Sequence, residues 1–152
     1  MVIVAEDEPR FFVAAYVVIT NNDGHVPLTR RRDSDDWVLP GGSVEEQESP
    51  WEAAAREVGE ETGLEIEVSR LVGVYAKRKE RDLVFVLAAS PVGGELRTSG
   101  ERDRVRFFDP GALPEKTSDR DRDRIADALA GHEQSVLCVQ PSAGDAPSPG
   151  TR

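Results

Sequence analysis

The sequence of 152 residues has little of three things: cysteine, long apolar segments and basic charge. Its single cysteine, Cys138, cannot form an intramolecular disulfide, which favours a reducing compartment such as the cytoplasm. The longest apolar segment, Phe11 to Ile19, is far too short to span a bilayer. The first five residues carry no basic leader and acidic residues follow them, so we expect no secretory signal peptide. Together these absences predict a cytoplasmic protein without a membrane partner.

Basic residues are outnumbered, with 19 Lys and Arg against 29 Asp and Glu and a net charge of −10 at pH 7. Binding to duplex nucleic acid depends mainly on Lys and Arg side chains that neutralise phosphates. A chain this acidic would be repelled by a nucleic-acid duplex. The charge balance therefore excludes that class of partner.

The length corresponds to one domain, large enough to bury a core without disulfides or structural metals. Hydrophobic residues make up 38% of the chain, which is typical of a globular protein. From Gln140 onward the sequence is rich in Pro, Ser, Gly and Ala and has no apolar periodicity. We therefore predict a folded domain over residues 1–139 and a flexible tail over residues 140–152.

The first half of the chain predicts two strands, a loop and a helix. Phe11 to Ile19 is apolar at every position, as in a strand buried on both faces, and Val26 to Arg31 follows a turn as a return strand. Trp37 to Gly42 contains Pro and paired Gly, which predicts a loop without regular structure. Ser49 is a helix cap, since Pro follows it and Glu lies three residues on, and Gly63 ends the helix.

The second half predicts further strands and a second helix. We expect strands at Ile66 to Tyr75, Leu83 to Ala89, Val105 to Phe108 and Ser135 to Val139, with a turn at Pro91 to Gly94. A helix capped by Thr117 or Ser118 would place Ile125, Ala126 and Leu129 on its apolar side.

Three carboxylates stand on one face at the end of the first helix. Glu57, Glu60 and Glu61 have i, i+3 and i+4 spacing, so they project within about one turn. The negative end of the helix dipole makes each of them unfavourable by about 0.3–1 kcal/mol there. Stability of the helix alone would not select this arrangement. One interpretation is a solvated acidic face partly neutralised by Arg56, and the other is a functional site.

The residues before the helix favour the functional interpretation. A Pro-Gly-Gly loop brings exposed carbonyl groups, and Glu48 adds a fourth carboxylate. A set of oxygen ligands selects Mg²⁺ or Mn²⁺ over zinc or copper. Mg²⁺ held by carboxylates usually completes its coordination with water and substrate phosphate.

These residues resemble the Nudix box of the Nudix hydrolases, the family of MutT-like enzymes. All nine restricted positions of the box are filled at the family spacing, namely Gly42, Glu48, Arg56, Glu57, Val58, Glu60, Glu61, Gly63 and Leu64. The sequence departs from many members at Gln47, where they have Gly, and we expect only a local difference in the loop. The resemblance implies an α/β/α sandwich with a mixed β-sheet and a loop-helix-loop catalytic motif.

The resemblance also implies a Mg²⁺-dependent pyrophosphohydrolase, with Mn²⁺ as an alternative ion, acting on a small nucleoside diphosphate derivative. Nucleoside triphosphates and nucleotide sugars both remain open as substrates. Metal ligands would be Glu57, Glu60 and Glu61 with the carbonyl of Gly41, while Gly42 and Glu48 would support the site. Arg56 would orient a carboxylate.

The general base varies within the family, and Glu57 or Glu61 is a candidate. Glu101 is a further candidate for a base or metal ligand, because it precedes the predicted strand at Val105 to Phe108. Homodimers are common among Nudix proteins, so a homodimer is one expected oligomeric state. The alternative function is a non-catalytic Nudix-fold module that senses a nucleotide.

Overall fold

The structure, a computed structural model, describes residues 10–142. Within this range the chain forms eight strands and two helices. In chain order they are β1 (Phe12–Ile19), β2 (Val26–Arg31), β3 (Trp37–Val38), β4 (Gly41–Ser43), α1 (Pro50–Thr62), β5 (Leu64–Lys77), β6 (Asp82–Gly94), β7 (Arg102–Phe108), α2 (Asp119–Leu129) and β8 (Val136–Val139).

Two sheets form the centre of the fold. The larger sheet is mixed and has the strand order β4-β1-β6-β5-β8, in which β1 runs parallel to β6 and antiparallel to β4. The smaller sheet is antiparallel and has the order β3-β2-β7. The predicted α/β/α sandwich with a mixed sheet is therefore confirmed.

Strand β1 separates two apolar cores, because alternate side chains of a strand point to opposite faces. Ala15, Val17 and Ile19 pack in the core that includes α1, whereas Val18 packs in the core that includes α2 and β2. All four are essentially inaccessible to solvent. This explains the unbroken apolar sequence of β1, as predicted for a strand covered on both faces.

Two segments predicted as irregular are in fact strands. Pro40 separates the short strands β3 and β4, so the expected loop contains two edge segments that pair with β2 and β1. Pro91 lies inside β6, where it pairs with Ile66 of β5. Pro is tolerated there because the pairing of β6 with β1 ends at Ala89, which leaves that side of β6 without a ladder.

Helix α1 has the predicted ends. The Ser49 hydroxyl accepts a hydrogen bond from the Glu52 N–H and donates one to the Glu52 carboxylate. At the other end, Gly63 adopts a left-handed conformation with φ of 79°, and its N–H donates to the Gly59 carbonyl. These ends fix the length of the helix, and with it the position of the carboxylates in its last turns.

Gly63→Ala is expected to destabilise the protein by more than about 1 kcal/mol, because a side chain is strained at this φ. A Cβ at Gly63 would also lie 2.1 Å from the Glu95 carbonyl oxygen. The matched control is Gly59→Ala in the same helix, where a Cβ has nothing within 4 Å. This control is expected to stabilise by about 0.5–1 kcal/mol through helix propensity. Denaturant unfolding measures both, and equal effects would contradict the prediction.

The chain remains packed a few residues beyond β8. The Gln140 side-chain carbonyl accepts hydrogen bonds from Arg124, and the Ser142 hydroxyl donates to Glu80. The rest of the predicted tail, residues 143–152, lies outside the described residues, and the division into domain and tail stays a prediction. Within residues 10–142, neither helix combines the length and apolar character needed to cross a membrane.

Candidate active site

The last turns of α1 place three carboxylates in different environments. The side chain of Glu60 is 59% exposed, that of Glu57 is 18% exposed and that of Glu61 is 7% exposed. The helix spacing puts all three near the β4 segment and the loop that follows it. The site therefore combines one solvent-facing carboxylate with two that are largely enclosed.

Arg56 joins these carboxylates to the preceding loop. Its guanidinium binds Glu48 through two hydrogen bonds of 2.7 and 3.0 Å. The same group donates to Glu57 at 3.1 Å and to Glu60 at 3.4 Å. A further bond of 3.2 Å reaches the Ser43 carbonyl of β4. Arg56 thus connects two carboxylates of its own helix with the preceding loop and with β4.

Glu48 is held as a carboxylate by this arrangement. The bidentate bond from Arg56, together with the Glu45 N–H, lowers the pKa of Glu48 to about 2. Paired N–H donors stabilise the charged form of a carboxylic acid. Glu48 therefore fixes the orientation of Arg56 across the neutral pH range.

Glu61 occupies the most enclosed position in the site. Burial raises the pKa of Glu61 to about 7, and the nearby Glu57 carboxylate acts in the same direction. The Gly41 N–H, which donates at 3.0 Å, and the Arg102 guanidinium at 3.3 Å oppose this shift by stabilising the charged form. Glu61 is therefore a buried carboxylate whose charge depends on two specific partners.

Arg102 is a part of the site that the sequence did not indicate. In β7 the pairing jumps from Arg104 opposite Arg30 to Arg102 opposite Arg31, so Asp103 is an extra residue that forms a β-bulge. In a regular strand, Arg102 would share a face with the exposed Arg104. The bulge instead turns it inward. Sequence alone could have identified Arg102 only by predicting the bulge. The alternating charges of residues 101–104 give no indication of a bulge.

Two glycines leave room for this cluster. A Cβ at Gly42 would lie 2.7 Å from a carboxylate oxygen of Glu57, and one at Gly41 would lie 2.2 Å from the Ala15 carbonyl oxygen. The β4 backbone therefore approaches both α1 and β1 more closely than residues with side chains permit. Gly41 contacts Glu61 through its N–H group, whereas its carbonyl is the predicted metal ligand.

Glu101 and Gln47 lie at the edge of the site. The side chain of Glu101 is exposed, and its backbone carbonyl accepts a hydrogen bond from the Arg32 N–H. Its assignment as an additional base or metal ligand stays a prediction. Gln47 has a φ of 64°, a region where Gly is favoured, so the expected local difference in the loop is a strained residue.

The donor set fits a hard divalent cation, because carboxylate and backbone oxygens are the only ligands at hand. Among residues 10–142, no three acidic, His or Cys side chains converge closely enough to enclose a metal as they stand. The arginines explain this, since Arg56 binds Glu57 and Glu60 while Arg102 binds Glu61.

A cavity of about 650 Å³ opens beside the carboxylates. We call Glu48, Glu57, Glu60 and Glu61, with their partners Arg56 and Arg102, the carboxylate cluster. The cavity is bordered by Arg102, which binds Glu61, and by Ser43, whose carbonyl accepts from Arg56. Its aromatic lining comes from Phe12, Tyr16 and Trp37, and its opposite wall is the beginning of α2. A cavity of this size is typical of small-molecule binding sites.

A mixed sheet between two helix-containing layers carries acidic residues at the end of one helix and a cavity beside them, an arrangement that suits a protein acting on a small molecule. The sequence model of the NUDIX domain matches residues 10–129, and the chain belongs to this family. The predicted family and enzyme class, a Nudix pyrophosphohydrolase, are thereby confirmed.

Relatives support this identification over most of the chain. A MutT-like protein of Streptomyces ambofaciens is 37% identical over 127 residues, which cover 84% of this chain and 82% of the relative. A putative 8-oxo-dGTP diphosphatase of Bacillus subtilis is 38% identical over 101 residues, covering 66% and 68%. For the fold alone, a solved NUDIX hydrolase from Nitrosomonas europaea has a TM-score of 0.80 at 20% identity, covering 89% of this chain and 81% of that one.

Proposed function

We propose that this protein is a Mg²⁺-dependent hydrolase that cleaves the diphosphate linkage of a nucleoside diphosphate derivative in the cytoplasm. The observation that carries the proposal is the convergence of Glu48, Glu57 and Glu60 on one guanidinium, that of Arg56, with Glu61 buried beside them. A solvated acidic face would not require a bidentate bond or a buried carboxylate. The relative from Bacillus subtilis, a putative 8-oxo-dGTP diphosphatase, supports a nucleotide substrate.

Glu57, Glu60 and Glu61 would hold the Mg²⁺ ion, with the backbone of Gly41 beside them. When bound there, the ion supplies charge compensation for the phosphoryl oxygens and makes a water molecule more acidic. Mn²⁺ is an alternative because it accepts the same oxygen ligands. The negative charge of the cluster would then be largely offset, so that an anionic diphosphate can approach an acidic protein.

The arginines of the site position its carboxylates. Arg56, anchored by Glu48, restricts the orientation of Glu57 and Glu60, and Arg102 does the same for Glu61. Groups of this kind usually change metal affinity or activity by about 10–100-fold. The general base would be Glu57 or Glu61, since both lie within the cluster, whereas Glu101 has an exposed side chain.

The cavity would receive the part of the substrate beyond the cleaved bond. It adjoins the cluster through Arg102 and Ser43, and Phe12, which is 71% exposed, offers an aromatic surface for a planar group. A panel of nucleoside diphosphate derivatives, assayed with Mg²⁺ and with Mn²⁺ and with both products identified, tests the proposal. Release of a nucleoside monophosphate supports it. Tight binding without turnover would indicate the alternative, a nucleotide-sensing module.

Mg²⁺ or Mn²⁺ is expected to raise the melting temperature of the protein, because an ion that binds only the folded state stabilises it. At a concentration of about 100 times its Kd the gain is about 2.7 kcal/mol, and a chain of this size shifts by roughly 2–4 °C per kcal/mol. Differential scanning calorimetry measures the shift without substrate. Glu57→Gln should abolish most of it. An unchanged melting temperature in the wild-type protein would favour a plain acidic surface.

A further inference from the structure

One wall of the cavity, formed by the beginning of α2, carries basic and hydroxyl side chains to which the proposed hydrolysis assigns no role. Lys116, Thr117, Ser118 and Arg120 line this wall. We call these four residues the α2 wall. The carboxylate cluster adjoins the same cavity at Arg102 and Ser43. A ligand in this cavity could therefore contact the α2 wall together with Arg102 and Ser43.

Most cations around the cavity already have acidic partners. Arg31 binds Asp33, Lys77 binds Asp82 and Arg124 binds Asp121, all within 3.3 Å. By contrast, Lys116 and Arg120 of the α2 wall form no ion pair within residues 10–142. Asp36, which lines the same cavity, opposes them in part but forms no ion pair with them. Glu80 and Asp121 lie near Arg120 and offset its charge in part, but neither forms an ion pair with it.

Thr117 adds an independent observation. It is 6% exposed, and its hydroxyl oxygen is the one buried side-chain polar atom within residues 10–142 that lacks a hydrogen-bond partner. A buried polar group left without a partner costs about 1–3 kcal/mol. Such groups in folded proteins call for an explanation, such as a ligand or a bound water. Thr117 is itself one of the residues that line the cavity.

The helix that begins here strengthens the same preference. Ser118 caps α2 and accepts a hydrogen bond from the Asp121 N–H. The remaining N–H groups of the first turn and the positive end of the helix dipole favour an anion. Of the two acidic residues in the first turn, Asp121 is buried against Arg124 at 3.3 Å and accepts from the Leu39 N–H, whereas Asp119 is exposed and offsets part of this effect.

We propose that the α2 wall binds a phosphate monoester group of the substrate, separate from the diphosphate that is cleaved. Lys116 and Arg120 supply charge and Thr117 supplies a hydroxyl donor. The inference rests on the proposed function, and it narrows the substrate to nucleoside diphosphate derivatives that carry an additional phosphate. A tetrahedral dianion suits this combination of two cations, a hydroxyl and a helix N-terminus.

Matched substrates that differ by one phosphate test the proposal: NADPH against NADH, and coenzyme A against dephospho-coenzyme A. We expect kcat/KM to favour the phosphorylated member of at least one pair by about 10–100-fold, the value of one charge-assisted hydrogen bond. Lys116→Met and Arg120→Met should remove the preference. Thr117→Val should reduce it, whereas Thr117→Ser should keep it. Arg104→Met is the matched control, because it removes one charge from an exposed residue of β7 that does not line the cavity.

Calorimetric binding of the same four compounds to the wild-type protein and to these variants separates the two proposals. Tighter binding of a phosphorylated member that depends on Lys116 or Arg120, without turnover of any diphosphate, would retain the subsite and contradict the proposed function. If the compounds are hydrolysed but the two members of each pair bind equally and have equal kcat/KM, the subsite is overturned and the proposed hydrolase function is retained. Absence of binding by all four compounds would also overturn the subsite. A preference for the phosphorylated compound that persists in both Lys116→Met and Arg120→Met would likewise overturn the subsite.

Discussion

Glu60→Gln is expected to reduce metal-dependent hydrolysis by more than about 100-fold, since groups that only support metal ligands already contribute about 10–100-fold. The folded protein should be almost unaffected, because the Glu60 side chain is 59% exposed and its one ion pair, with Arg56, is a long one of 3.4 Å. Initial rates on the best substrate of the panel measure the first effect. Thermal unfolding in the absence of metal measures the second.

Glu52→Gln is the matched control for this variant. It removes the same charge from the same helix, and glutamine is accepted at this capping position. Glu52 forms no bond with Arg56, so the carboxylate cluster stays intact. Hydrolysis by Glu60→Gln at the wild-type rate would mean that the assigned site is wrong. Equal losses in both variants would indicate an effect of charge on the helix instead.

Arg102→Met is expected to impair both stability and activity. The side chains of Arg102 and Glu61 are 10% and 7% exposed, so the variant leaves a buried carboxylate without its cation. Breaking a buried pair in this way costs about 3 kcal/mol, and a chain of this size then loses roughly 6–12 °C in melting temperature. Activity should fall because Glu61 loses the partner that holds its orientation. Urea unfolding and initial rates measure the two effects.

The double variant Arg102→Met with Glu61→Gln distinguishes this explanation from simple loss of packing. Removing both charges relieves the unpaired carboxylate, so the double variant should be more stable than the sum of the two single effects predicts. Activity should not recover, because Glu61 is itself a proposed ligand. Purely additive stabilities would show that the pair contributes no coupling energy.

The proximity of the three helix carboxylates could be predicted from the sequence because it depends only on local helix geometry. Glu57, Glu60 and Glu61 lie within one turn of a helix whose ends are encoded by Ser49 and Gly63. Helix periodicity alone then places the three side chains on one face. The roles of these residues remain proposals, but their proximity follows from spacing.

The inner face of α2 was predicted less well. The apolar pattern suggested Ile125, Ala126 and Leu129, yet Ala126 and Leu129 are exposed and only Ile125 is buried. Asp121, Arg124 and Asp127 are buried there instead, the last of them bound by the Tyr75 hydroxyl at 2.6 Å. Buried charges of this kind are possible only when partners from other elements are present, and a local pattern does not reveal those partners.

By itself the sequence determined the family, the fold class, the ends of α1 and the oxygen-rich chemistry of the site, since each of these depends on residues close together in the chain. Only the tertiary structure decided which groups surround the carboxylates. Arg102 reaches Glu61 across 41 residues because of a bulge in β7, and Lys116 and Thr117 join the cavity wall because Trp37 of β3 pairs with the segment before α2. Such contacts follow from strand register and packing between distant segments, which local residue preferences do not encode.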